Sequence, residues 1–294
     1  MEKFMRIEQT FLIGHILSMA FGLAGLLIVL PNADFIAALP EIGKTAFAWS
    51  MAGGGVVYML LGTSAVAVYA YRTLGIWHCL GFMVPAIGLS LVSELLGTST
   101  GFPFGHYHYL SGLGYKIAGL VPFTIPLSWF YIGFSAYIIA RAGLETLAIP
   151  QLLKYVGAIG FGSLLLTSWD FVLDPAMSQT TVPFWVWEQP GAFFGMPYEN
   201  FAGWFGTGAV FMTVATFIWR LKPLTLPSDR LGLPLAVYVA NFAFATITSI
   251  AAGIYPPILL GVILGIVPLL FFYQLATTRS PHQNITESLE AEII

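Results

Sequence analysis

The sequence predicts an all-α fold, a polytopic integral membrane helical bundle of about eight transmembrane helices with both termini cytoplasmic. Three observations lead there. Of the 294 residues, 57% are hydrophobic and only 9% charged, whereas a soluble domain carries about 25% charged residues. Apolar runs long enough to cross a hydrocarbon core, which takes roughly 20 residues, recur along the chain. The few Lys and Arg residues fall on alternate connections between these runs.

Apolar runs bounded by charges, prolines and glycines place spans at 10–30, 47–70, 76–97, 120–140, 151–173, 199–220, 231–252 and 255–275. In lipid every backbone group must be satisfied within a helix or a closed barrel, and long runs without strand-like alternation choose helices. The first run, Phe11 to Leu30, is too long for a signal-peptide core and lacks a small-x-small cleavage pattern, so it reads as a span. With the N-terminus inside, the inner segments hold Lys3, Arg6, Arg72, Arg141, Lys154, Arg220, Lys222, Arg230 and Arg279, and only Lys44 and Lys116 fall outside. This is the bias that orients membrane helices, and removing one span would invert every later loop. Residues 1–276 therefore read as a single transmembrane domain and 277–294 as a disordered polar tail. Gly53-Gly54-Gly55 and the series Gly157, Gly160, Gly162 read as close helix-packing positions. Two outer segments, 98–119 and 174–198, are longer than simple connections need, which commonly marks function.

Composition also excludes classes of function. A net charge of −3 with scattered cations offers no nucleic-acid stripe. The single cysteine, Cys79, excludes an internal disulfide and cysteine-based redox or metal sites. Of five histidines, His15, His78 and His282 fall on the inner side or within the first span, leaving too few for a histidine-rich di-iron centre. With no strands, no phosphate loop can follow one, so no nucleotide cofactor and no metal are expected.

Ionisable residues at membrane depth are costly and are functional candidates by default. Glu94 lies on the third span and Asp170 on the fifth, and Glu199-Asn200 begins the sixth, with Asp174 and Glu188 in the adjoining loop. Given the alternation of spans, all of them collect at the outer face beside both long loops. Helix-end acids that snorkel to the interface are the ordinary alternative, but five converging at one face argue for a site. The loops bring His106 and His108 among Phe104, Tyr107 and Tyr109, and a dense aromatic run that includes Trp185, Trp187, Phe193, Phe194 and Trp204. An interfacial aromatic belt accounts for part of this. Aromatic faces mixed with acids suit a long apolar ligand whose end undergoes acid chemistry, since ring faces stabilise cations. The i, i+4 spacing of Asp170 and Asp174 puts them on one helix face, as in magnesium-dependent prenyl transfer, but an outer face with only Lys44 and Lys116 is a poor diphosphate site.

The run from Glu94 through Gly-Phe-Pro-Phe-Gly-His-Tyr-His-Tyr109, then Val121 to Trp129, Trp169-Asp-Phe-Val-Leu-Asp-Pro175, Trp185-Val-Trp187 and Gly195 to Trp204 resembles the membrane carotenoid hydratases of the CruF type. That group includes γ-carotene 1'-hydroxylases and bisanhydrobacterioruberin hydratases. The resemblance covers about residues 85–210. It implies addition of water to the C1–C2 double bond of an acyclic carotenoid end group, giving a tertiary 1'-hydroxyl without any cofactor. The implied partners are a carotenoid, water and membrane lipid, in a bacterial cytoplasmic or thylakoid-type membrane with the site near the non-cytoplasmic face. The unexceptional charge balance favours a γ-carotene-like substrate over a bacterioruberin precursor.

Acid-catalysed hydration needs an acid, a wall that tolerates a cation, and a base. Asp170 or Glu94 is the candidate acid, Asp174 or Glu199 the candidate base, and His106 or His108 a candidate for re-protonating or holding the acid. Phe104, Tyr107, Tyr109, Trp129, Trp187, Asn200 and Trp204 are the candidate substrate-binding residues. A carotenoid end-group cyclase, and a non-enzymatic transporter or lipid-binding protein, are the rival readings.

Overall fold

A computed structural model describes residues 2–180, 182–226 and 228–278. The chain is an all-α membrane bundle. Its long helices are α1 (Glu2–Ala24, continued by a π turn at Gly25–Val29), α3 (Glu41–Thr100), α4 (Thr124–Glu145), α5 (Gln151–Met177), α6 (Tyr198–Trp219), α7 (Gly232–Ala251) and α8 (Pro256–Thr278). A short α2 (Ala33–Ala38), which the sequence reading did not foresee, is capped by the Asn32 side chain on the Phe35 N–H. The predicted polar tail lies outside the described residues from 279 on.

Seven helices are long and apolar enough to cross a membrane, yet α3 counts as two. At 1.5 Å per residue its 60 residues would run about 90 Å, three hydrocarbon thicknesses. Gly75, at φ +79° and ψ 168°, breaks it, in a region glycine enters at little cost. The chain then doubles back: the Cys79 thiol reaches the Ala67 carbonyl at 3.6 Å, although twelve residues of straight helix would separate them by about 18 Å. The eight predicted spans are therefore present, with ends displaced by a few residues. The largest shifts are at the starts of the first, which begins near Glu2, and of the second, which begins at Glu41.

α4 is the central pillar, buried from Thr124 to Leu144 at every position but Leu127. It packs on α3, α5 and α7, while α6 closes the gap between α3 and α5, and α8 lies against α5. The outer helices turn large apolar side chains outward, among them Leu17, Phe21, Val84, Leu152, Phe217 and Leu259, as a lipid solvent allows.

Charge is segregated between the ends of the bundle. At one end the buried Arg72 guanidinium grips Glu8 with two hydrogen bonds, of 2.8 and 2.6 Å, and Arg141 and Arg220 stack on the Tyr155 ring. Lys222 covers Trp77, whose indole binds the Ile218 carbonyl. The other end carries Glu94, Asp170 and Asp174 together with both long loops.

Those loops correct one expectation, that the chain has no strands. β1 (Tyr107–Tyr109) pairs antiparallel with β4 (Trp185–Trp187), and β2 (Lys116–Ile117) with β3 (Val121–Pro122). Runs of two or three residues carry too little alternation to register against long apolar helices.

Candidate active site

The β1–β4 ribbon decides which loop side chains enter the bundle. Successive strand residues point to opposite faces, and the register matches Tyr107 with Trp187 and Tyr109 with Trp185. Four large rings therefore share one face. His108 sits on the opposite face, where its Nδ1 meets Glu188 at 2.7 Å with both side chains about half exposed (51% and 53%). His106 is exposed as well.

Phe104 wedges the preceding turn between α3 and α6. The wedge needs two glycines, because a Cβ on Gly97 or Gly203 would run into the Phe104 ring. Gly101, at φ +83°, ends α3 and turns the chain into this loop.

Under the ribbon lies a cavity of about 60 Å³ lined by Glu94, Asp170, Asp174, Asn200, Tyr107, Tyr109, Trp169, Trp185, Trp187 and Trp204, among others. It holds a few atoms' worth of ligand or water, an end group and not a chain. The three acids are only 2–3% exposed, and no Lys, Arg or His is among the lining residues. Among the described residues no cluster of three His, Cys, Asp or Glu side chains is arranged to hold a metal.

Glu94 is surrounded by donors. Its Oε2 accepts from the Tyr107 and Tyr109 hydroxyls, the latter at 2.9 Å, and its Oε1 from the Trp129 indole at 2.9 Å. Burial, reinforced by the charge of Glu94, pushes both phenols well above the ordinary tyrosine range, so they remain donors. The two aspartates, one helical turn apart on α5, are joined by Asn200, whose Nδ2 donates to Asp170 Oδ2 at 2.8 Å and to Asp174 Oδ2 at 2.9 Å. Trp185 binds the other oxygen of Asp174. Asp170 differs, since only its Oδ2 is engaged by a side chain and the group lines the cavity.

The structure thus brings together Glu94, Asp170, Asp174, Phe104, Tyr107, Tyr109, Trp187, Asn200 and Trp204 of the predicted residues. It places His106, His108 and Glu199 elsewhere, all exposed. Trp129 sits one layer behind the wall, stacked on Trp204 with ring centroids 4.0 Å apart, and reaches the site through Glu94. Sequence reasoning missed Trp185 and Trp169 as site residues. The first was signalled by its alternation with Trp187 and the second by its place beside Asp170. Tyr58 and Phe244, which also line the cavity, carry no signal that separates them from other aromatics in apolar spans.

Fold and site together define a polytopic membrane protein that buries an acid-rich, cation-free aromatic pocket at one end. The chain belongs to the family of carotenoid biosynthesis proteins, whose model matches residues 54–268 and so takes in the whole cluster of acids. It is 32% identical over 134 residues to a protein of Haloarcula japonica named bisanhydrobacterioruberin hydratase. That match covers 45% of this chain and 43% of the relative, so the chain spans less than half the length of the protein it resembles. No solved structure matches the chain.

Proposed function

We propose that the protein is a carotenoid hydratase that adds water across the C1–C2 double bond of an acyclic end group, with γ-carotene or a related carotenoid as substrate. The observation that carries this reading is Asp170, a buried carboxyl group with one oxygen unengaged, facing a small cavity walled by tryptophan rings. Membership of a carotenoid biosynthesis family and the name of the Haloarcula japonica relative support it.

In this mechanism Asp170 gives a proton to C2. The π electrons form the new C–H bond and leave a tertiary cation at C1, beside the faces of Trp204 and Trp169, which stabilise it. A water molecule in the cavity attacks C1, and its surplus proton passes to Asp174. Two carboxyl groups sharing one donor are suited to hold one proton between them, and transfer from Asp174 to Asp170 restores the starting state. Glu94, saturated by two phenols and an indole, is a positioning residue that holds the ribbon over the pocket and adds negative charge near the cation. The exposed Glu199, His106 and His108 take no part. Water enters from the non-cytoplasmic face, the end opposite the Arg and Lys cluster.

The net charge of −3 lacks the acidic excess of proteins adapted to high salt, which favours γ-carotene over a bacterioruberin precursor as substrate. The test is to incubate the purified protein with γ-carotene and weigh the pigment. Gain of one water supports hydration, an isomer of unchanged mass identifies a cyclase, and an untouched pigment contradicts both.

A further inference from the structure

A second cavity, about 630 Å³ and ten times larger than the acid pocket, lies between the outer half of α1 and the first limb of α3. Its walls include Leu17, Phe21, Leu26, Trp49 and Val57 and carry no acidic or basic side chain. Leu17, Phe21 and Trp49 are more than 60% exposed, so at this depth of the bundle the cavity opens to lipid. Four glycines make it flat and wide: a Cβ on Gly22, Gly25 or Gly53 would meet nothing within 4 Å, and one on Gly54 only the Ser50 hydroxyl. Gly53 and Gly54 are therefore not the helix-packing positions that their sequence suggests. Gly55 is a close-packing position, but against a loop: a Cβ there would strike the Gly112 carbonyl.

The groove adjoins the acid pocket. Tyr58, Leu113, Met177, Phe184 and Phe244 line both cavities and form the partition between them. The Tyr58 and Phe244 rings stack there at 6.0 Å. His15 pins this partition from behind, with Nδ1 on the Tyr58 carbonyl at 2.7 Å and Nε2 on Asn241 at 3.0 Å.

We propose that this groove is the binding site for the polyene chain of the substrate, with the Tyr58–Phe244 partition as the gate through which one end group reaches the acids. The proposal rests on the functional reading above for what happens at that end. The acid pocket takes only an end group, so the rest of a long, rigid, uncharged ligand needs an apolar path that begins in lipid and ends at the acids. The groove meets both conditions, and its glycines suit a flat conjugated chain.

The test uses the full chain in detergent with lycopene as probe, following quenching of tryptophan fluorescence. Gly22→Phe and Gly54→Phe fill the groove without touching the acid pocket. Each is expected to weaken lycopene binding about tenfold with an unchanged unfolding temperature. Asp170→Asn keeps lycopene binding and loses turnover. Lycopene binding that is absent in the parent, unaltered in both glycine variants, or displaced equally by phospholipid acyl chains would overturn the groove assignment. Binding that behaves as expected in a protein that never hydrates its ligand would uphold the groove and overturn the functional reading alone.

Discussion

The bundle buries carboxylates in two places and treats them differently. Glu8 is answered by a formal charge, the fork of Arg72, and the two side chains are 5% and 7% exposed. Glu94, Asp170 and Asp174 are buried as deeply but are answered only by neutral donors, two phenols, two indoles and one amide. An ion pair in apolar surroundings satisfies both partners and fixes two helices in register. Acids held by neutral donors keep their capacity to give and take a proton. In the proposed mechanism the first arrangement serves as a strut and the second as a reagent.

Seven substitutions sharpen or break this contrast. Asp170→Asn should lower turnover by about a thousandfold, within the span that a positioned acid contributes, and leave folding intact. It is checked by pigment analysis at matched protein levels. Glu8→Ala, by contrast, should leave chemistry in the surviving folded protein unchanged and cost about 3 kcal/mol of stability, the effect of stranding a buried guanidinium. Thermal unfolding in detergent reads this. If Glu8→Ala instead abolished turnover in stable protein, the division between strut and reagent would fail. Tyr107→Phe removes one of three donors to Glu94 and should slow turnover about tenfold, with Trp129→Phe acting alike through the same carboxylate. The smallest effects belong to His106→Ala, His108→Ala and Glu199→Gln, each within about twofold of the parent because exposed groups away from the site contribute little.

The bundle was legible because its signals are long. Twenty-residue apolar runs and the alternation of cations located every span, and even the reversal at Gly75 left its mark as the gap between residues 70 and 76. The acids were legible because charge at membrane depth is rare. What stayed hidden depends on the parity of short elements. Tyr107, His108 and Tyr109 are indistinguishable until pairing with β4 turns the tyrosines inward and the histidine outward. Glu199 and Asn200 open α6 side by side, and only the helix phase sends the amide to the aspartates and the acid to the surface. The groove was misread for a related reason, since glycines that admit a helix and glycines that leave a void look alike in sequence.

The central claim is that the buried acid pair hydrates a carotenoid end group, and isotopic water tests it most directly. Purified protein is incubated with γ-carotene in water enriched in both oxygen-18 and deuterium, under air, and the pigment is analysed by mass spectrometry and NMR. The account predicts one oxygen-18 in a tertiary hydroxyl at C1' and one deuterium on C2'. A hydroxyl carrying oxygen from air, or a product with neither label, would contradict it.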